Sequence, residues 1–499
     1  MRMPPISRRD LLMSAAAVPV AGAAAAAQPA VTRPNIVFII ADDMGYADVS
    51  CYGRPDMATP NVDRIAAQGT RFTQGYSNSP VCSASRVAIM TGRYQLRLPV
   101  GLEEPISGTT RKGIGLPPEH PTLPSLLKKA GYGTTLVGKW HLGSLPDFGP
   151  HQSGYDHFYG FRGGAIDYFL HTGRNGSKDF WEEDERIEPE GYATTLLGDR
   201  AVRVVEGYAR TRQPFLLSLH FNAPHWPWEG PDDRAEAERL RGKDPASWDA
   251  GSQETYRRMI AEMDRQIGRV MEALEKNGLA RDTIIIFTSD NGGERFADTW
   301  PFSGHKTELL EGGLRVPAII SWPARIPAGR VSEQVTANMD WMPTLLAAAG
   351  AAPDPRYPPD GMNLLPHLAE GAPAVERQLF WRYKSLWQRA ARIGDWKYLK
   401  MLDNTFLFNV VADPLERANM KEREPEVYRR LVAAWDAWNG TMLPEVAHSF
   451  TEDIDGSQMA SQFGTRPSSG VPDPTLPGSE PPAGQAVSPF LEPKGAGKP

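Results

Sequence analysis

Short runs of unlike polar residues are where this chain could do chemistry. Pro80-Val81-Cys82-Ser83-Ala84-Ser85-Arg86 holds one of two cysteines in 499 residues and ends in an arginine. Turn formers precede it (Tyr76-Ser77-Asn78-Ser79), so Cys82–Arg86 is expected in a loop, and the apolar run Val87–Thr91, closed by Gly92, follows as an expected helix. Three readings fit Cys82: a buried free thiol, a thiolate nucleophile activated by the helix end and Arg86, or a cysteine that is itself covalently modified. Five further clusters carry complementary types: Asp42 with Asp43, Lys139 with His141, His225, Asp290 with Asn291, and Lys306. Their carboxylates and amide are hard oxygen ligands suited to Ca²⁺ or Mg²⁺. Their lysines and histidines, with Arg86, suit a tetrahedral oxyanion. Each has an ordinary reading by itself: a surface lysine, a satisfied core histidine, an Asn-Gly turn.

The elements around these clusters give them a common address. Asn35–Ile40 is a continuous apolar, β-branched run, as in a buried strand of a parallel sheet, and it ends in Ala41-Asp42-Asp43-Met44-Gly45. Thr134–Val137 ends at Gly138-Lys139-Trp140-His141, Pro214–Leu219 runs into Ala223-Pro224-His225, and Thr283–Thr288 ends at Ser289-Asp290-Asn291. Helical patterns lie between them at 59–69, 121–131, 191–210 and 259–277. This is the rhythm of an α/β fold, whose ligand sites lie at the carboxyl ends of the strands. The expected architecture is therefore a large mixed, mostly parallel sheet sandwiched by helices. A smaller C-terminal α+β domain follows, with short antiparallel strands from residue 378 and a final helix at 425–438. The irregular stretch 144–190, with Asp167, Tyr168 and His171, is expected to form a substrate-facing rim.

Composition excludes several classes. A net charge of −6 argues against a nucleic-acid binder, and two cysteines cannot build a disulfide framework. Residues 1–27 read as a twin-arginine signal peptide, from Ser7-Arg8-Arg9-Asp10-Leu11-Leu12 to the alanine-rich run ending at Ala27. That run is short of the ~20 apolar residues a membrane span needs and contains Pro19. Export to the periplasm or beyond by the twin-arginine machinery is expected, with no stable membrane anchor. The catalytic domain is expected at 33–370, the C-terminal subdomain at 375–445, and a disordered Pro/Gly/Ser-rich tail at 455–499.

Taken in order, these motifs resemble formylglycine-dependent sulfatases of the arylsulfatase type, in the alkaline phosphatase superfamily. The resemblance runs through Ala41–Gly45, Thr59-Pro60-Asn61-Val62-Asp63, Cys82–Arg86 with Thr91-Gly92-Arg93, Gly138–Gly143, Ala223–His225, Ser289–Gly292 and Gly304-His305-Lys306. Ala84 departs from it, since proline is commoner there, although alanine is accepted. The resemblance implies that a modifying enzyme oxidises Cys82 to formylglycine, whose hydrate attacks sulfur and then expels sulfate. It implies one Ca²⁺, in preference to Mg²⁺, held by Asp42, Asp43, Asp290, Asn291 and the modified Cys82. Arg86 and Lys139 would hold the diol and sulfate, and His141 would be the base for elimination. His225 and Lys306 would bind sulfate and stabilise the leaving oxygen. The implied substrate is a sulfate ester of a carbohydrate or an aryl alcohol. The alternatives are a phosphate or phosphonate ester hydrolase of the same superfamily, or a non-catalytic sulfated-glycan binder with unmodified Cys82.

Overall fold

The apolar run after residue 34 becomes strand β1 (Asn35–Ala41), near the middle of a ten-stranded sheet. The structure is a computed structural model that describes residues 33–107, 113–173, 175–242, 251–446 and 449–452. The twin-arginine segment 1–27 and the tail 455–499 lie outside the described residues. In chain order the following strands are β2 (Gly69–Phe72), β3 (Gly75–Tyr76), β4 (Gly133–Lys139), β5 (His157–Phe161), β6 (Trp181–Glu182), β7 (Glu185–Arg186) and β8 (Phe215–His220). Then come β9 (Thr283–Ser289), β10 (Ala318–Ser321), β11 (Arg330–Ser332) and β12 (Thr336–Ala337). The large sheet has the order β11-β2-β10-β9-β1-β8-β4-β5-β6-β7, and β3 pairs separately with β12.

Strands β9, β1, β8, β4 and β5 are mutually parallel, while β10 runs antiparallel to both β9 and β2. The sheet is therefore mixed but mostly parallel around its centre. Side chains of β1 alternate between two cores: Val37, Ile39 and Ala41 enter one, and Ile36, Phe38 and Ile40 the other. Helices Pro60–Ala67, Ala193–Thr211 and Gln253–Lys276 cover the first face; helices Cys82–Thr91, Leu123–Lys129 and Trp341–Ala348 cover the second. A continuous apolar strand is what two covered faces require.

Three expectations need correction. The segment Cys82–Arg86 is the first turn and a half of helix Cys82–Thr91, not a loop, so Cys82 and Arg86 sit four residues apart on one helical face. Small residues after Val81 allow that early start. The long helix begins at Gln253, six residues before Met259, because the Ser252 side chain caps it by accepting from Thr255 N at 3.0 Å. The irregular stretch 144–190 contains β5, β6 and β7, which extend the large sheet at one edge. His171 is buried against Phe180, and Asp167 accepts from Phe169 N and Leu170 N. His171 is therefore turned away from the expected substrate-facing rim, while half-buried Asp167 closes a local turn.

Strands β13 (Gln378–Tyr383), β14 (Gln388–Ile393), β15 (Trp396–Met401) and β16 (Asn404–Asn409) form an antiparallel sheet in sequence order. Helix Pro425–Asn439 buries Leu431, Trp435 and Trp438 in the core of this sheet. That core also contains Val81, Ala84 and Ala88 beside the Cys82 helix, and Leu309, Leu310 and Leu314. The small sheet therefore packs directly on the element that carries Cys82.

Close approach of backbones fixes the end of β4. Gly138 has φ +115°, and a Cβ there would lie 1.8 Å from the His220 carbonyl oxygen of neighbouring β8. Replacing Gly138 with alanine is expected to destabilise the fold by at least about 1–3 kcal/mol. A lower urea midpoint checks this; an unchanged midpoint would show that the strand ends part easily.

Candidate active site

The parallel strands deliver their polar ends to one edge. Register pairs Ala41 of β1 with Ser289 of β9, and His220 of β8 with both Ile40 and Gly138. Asp42, Asp290 and Lys139 therefore emerge side by side. Cross-strand bonds hold the turns: Asp42 N donates to Ala223 O at 3.1 Å, Asp290 N to Ala41 O at 3.2 Å, and Met44 N to Ser289 Oγ at 3.0 Å. Lys306 comes from the β9–β10 connection, where its own N–H donates to Gly293 O at 2.9 Å. Asp43, His141 and Thr307 adopt positive φ of 62°, 56° and 73°. Such backbone clusters where a surrounding structure overrides local preference, often at functional sites.

Asp43 is the hub. Its Oδ1 accepts from Asn291 Nδ2 at 2.8 Å and from the Cys82 thiol at 3.7 Å. Its Oδ2 lies 2.8 Å from Lys306 Nζ and 3.3 Å from His225 Nε2. Asp42 Oδ2 pairs with Lys139 Nζ at 2.6 Å. Arg86 donates from Nε to Asp290 Oδ2 at 2.8 Å and from its first terminal nitrogen to Lys139 O at 3.3 Å. All ten side chains expected from sequence are buried: Asp42, Asp43, Cys82, Arg86, Lys139, His141, His225, Asp290, Asn291 and Lys306. Nine of them join this network directly. His141 bonds elsewhere, through Nε2 to Ile106 O at 2.8 Å.

Electrostatics sorts the groups. Burial pushes the Asp42 carboxyl up to about 8, with Asp290 and Asp43 adding repulsion and Lys139 pulling against them. Burial also opposes charge on Asp43, but the ammonium groups of Lys306 and Lys139 outweigh it and hold that carboxyl well below its usual range. Burial drives His141 and His225 well below the ordinary imidazole value, so both rings are neutral. The Cys82 thiol is pushed well up, chiefly by burial. An activated thiolate is thus the reading the site supports least.

Several donors and acceptors are left over. Asp42 Oδ1, Asn291 Oδ1, His141 Nδ1 and the second terminal nitrogen of Arg86 are buried without a hydrogen-bond partner. Two orphaned oxygens beside three crowded carboxylates fit a hard cation such as Ca²⁺. One donor atom each from Asp42, Asp43, Cys82 and His225 lies within 4.8 Å of the others. The oxygen-rich half of this neighbourhood, extended by Asp290 and Asn291, is the better match to a hard ion, since Lys306 also approaches His225 Nε2 at 3.5 Å.

Sequence reasoning missed residues that brace the site. Buried Asp48 accepts from Gly45 N at 2.7 Å, Asp298 N at 2.9 Å, Tyr256 Oη at 2.6 Å and Arg54 at 2.8 Å, bracketing the Asp42–Gly45 turn. His220 closes β8 beside Arg86, its Nδ1 3.4 Å from the guanidinium. Glu294 lies 3.8 Å from Lys306. His220 carried a signal, being the last residue of a buried strand. Asp48 and Glu294 carried none, because neither lies at the end of a buried strand and a single acid in a polar stretch has no pattern of its own.

With this geometry in hand, similarity to known proteins can be weighed. A family model described as Sulfatase matches residues 34–351. N-acetylgalactosamine-6-sulfatase from Homo sapiens is 34% identical over 398 residues, covering 75% of this chain and 72% of the human protein. The crystal structure of Ps i-CgsB in complex with k-i-k-neocarrahexaose matches with a TM-score of 0.75 at 29% identity, covering 87% of this chain and 98% of that one. A phosphonate monoester hydrolase of Agrobacterium radiobacter shares the fold, with a TM-score of 0.61 at 22% identity over 82% of this chain and 96% of its own. Since the matched span contains every one of the ten buried site residues, this chain belongs to the sulfatase family and is a sulfuric ester hydrolase.

Proposed function

We propose that this sulfatase works through formylglycine made from Cys82 by a formylglycine-generating enzyme, with one Ca²⁺ held by Asp42, Asp43, Asp290 and Asn291. The observation carrying this reading is the double role of Asp43. One of its oxygens meets Cys82 and Asn291, and the other meets Lys306 and His225. The nucleophile position, the hard-oxygen donors and the oxyanion-binding cations thus share one carboxylate. The substrate is a sulfate ester of a carbohydrate or an aryl alcohol. The carbohydrate reading draws on the sulfatase for N-acetylgalactosamine 6-sulfate and on the neocarrahexaose complex among its relatives.

Hydrated formylglycine supplies two hydroxyls on one carbon, one to attack sulfur in line and one whose proton loss expels sulfate. Bound Ca²⁺ supplies Lewis acidity, lowering the pKa of a nearby hydroxyl and drawing off sulfate charge. The chain's own residues do the rest. Arg86, fixed by Asp290, keeps one terminal nitrogen, 4.0 Å from Asp42 Oδ1, without a hydrogen bond and so open to a sulfate or diol oxygen. Lys139 places its ammonium beside Asp42 to share that oxyanion charge. His141, donating from Nε2 to Ile106 O, keeps a lone pair on Nδ1 and serves as base for elimination. His225 donates from Nδ1 to Trp226 O at 2.7 Å, which leaves Nε2 to accept from Lys306. The Lys306 ammonium therefore holds the proton that stabilises the leaving oxygen.

No helix among the described residues is long and apolar enough to cross a membrane. Twin-arginine export to the periplasm or beyond belongs to the same proposal and rests on the motif at Ser7–Leu12.

Purified exported protein is expected to hydrolyse p-nitrophenyl sulfate faster than p-nitrophenyl phosphate. Its tryptic peptide spanning Phe72–Arg86 should carry an aldehyde in place of the thiol. A strong phosphate preference would instead favour the phosphoesterase reading, and an intact thiol in active enzyme would remove formylglycine from the mechanism. Lys306→Ala and His225→Ala should each lower kcat about 10²–10³-fold. Losses under threefold would place the leaving-group machinery elsewhere. Chelation with EGTA should lower both Tm and activity, with Ca²⁺ restoring both better than Mg²⁺. At calcium 100 times its Kd the ion contributes about 2.7 kcal/mol, and an unchanged Tm would count against a resident cation.

A further inference from the structure

Lys306 has no regular element of its own; it lies in the connection between β9 and β10. Its neighbour Thr307 has φ +73°, an unfavourable backbone for a β-branched residue. Left alone, such a segment would relax and carry the ammonium away from Asp43. On the large-sheet side two hydrogen bonds hold it: Lys306 N to Gly293 O at 2.9 Å, and Thr307 N to Pro80 O at 3.0 Å. Pro80 is two residues before Cys82, so the second bond ties the lysine segment to the nucleophile segment.

On the opposite side the small sheet contributes the side chain of Gln388. Gln388, the fully buried first residue of β14, accepts from Leu309 N through Oε1 at 2.7 Å. Its Nε2 donates to Thr307 O at 2.9 Å and to Ser385 O at 3.2 Å. A single amide thus satisfies the backbone on both sides of Glu308 and closes over the strained residue next to Lys306. Farther along, Glu311 N donates to Glu416 Oε2 at 2.6 Å, and Lys397 Nζ lies 2.9 Å from both Glu311 and Glu416.

We propose that Gln388 is a positioning residue for Lys306, so that the small C-terminal sheet sets the geometry of leaving-group stabilisation. This rests on the reading of Lys306 given above. An amide is needed at position 388 because the segment presents one N–H and one C=O to the same point. A carboxylate can accept from Leu309 but cannot donate to Thr307, and an apolar side chain can do neither. Displacement of a catalytic charge by about 1 Å suffices to cost about 10²-fold in rate.

The test uses a series of aryl sulfates whose leaving phenols rise in pKa. Lys306→Ala should steepen the dependence of kcat/KM on leaving-group pKa. Gln388→Ala and the size-conserving Gln388→Glu should steepen it in the same direction, losing about 10–100-fold on the poorest leaving groups and less on p-nitrophenyl sulfate. Introduced into the Lys306→Ala enzyme, either change should add less than about twofold, because its effect runs through the lysine. A leaving-group dependence that stays unchanged in both Gln388 variants while Lys306→Ala steepens it overturns this inference alone. So does a full additional loss in the double variant. If Lys306→Ala leaves the dependence flat, the reading of Lys306 falls and this inference falls with it.

Discussion

Pairing of ionisable groups in a buried pocket is the constraint on which the rest of the structure depends. Asp42, Asp43 and Asp290 lie within one network with Arg86, Lys139 and Lys306, and all six are buried. Taking a single ion out of water costs several kcal/mol even after relaxation, so each charge is tolerable only while its partner stays in place. The strain at Asp43, His141 and Thr307 shows the fold holding backbone where those partners require it. Such a site is preorganised by the same forces that make it expensive: fixed charges in a poorly solvated pocket interact strongly with an incoming charged group and need little reorganisation.

Parallel strands make this arrangement affordable in geometric terms. β1 and β9 are locked along their length by apolar packing on two faces, and β4 by Leu136 and Val137 on opposite faces, so the last residue of each is placed by many weak contacts. The polar residue after the strand inherits that precision. Asp48 then fixes the turn that follows β1 by accepting four hydrogen bonds, and Arg86 reaches across from its helix to Asp290. Lys306 lacks such a strand, which is why its segment leans on Gly293, Pro80 and the small sheet.

The small antiparallel sheet is therefore more than an appended module. Ala84 and Ala88, four residues apart, turn one face of the Cys82 helix into its core, while Arg86 turns inward to the acids. Trp381 donates from Nε1 to Ser77 O at 2.9 Å just upstream of Cys82. The chain also returns at Ser449–Glu452, where Lys384 Nζ reaches Ser449 Oγ at 2.6 Å and Leu102 O at 2.8 Å. Position 84 thus serves the interface between sheet and helix, where a residue as small as alanine fits without further adjustment.

Much of this was legible in the residue order. Buried strands announce themselves by continuous apolar runs such as Asn35–Ile40, and unlike polar pairs just past them mark a site, because a parallel sheet sends all those ends one way. Local pattern therefore determined the α/β class, the antiparallel character of residues 378–409, and which polar residues the strand ends bring into one buried neighbourhood. Tertiary structure alone decided who faces whom. Helix geometry put Cys82 and Arg86 on one face where a loop was expected, and packing turned His171 inward against Phe180 where a substrate contact was expected. Asp48, Glu294 and Gln388 were invisible beforehand, since a lone acid or amide means nothing until another segment, such as Tyr256 on Asp48 or Thr307 on Gln388, folds against it. Periodicity records what a residue's near neighbours need, whereas hydrogen bonds and ion pairs between distant segments exist only once loop-closure entropy has been overcome by the core.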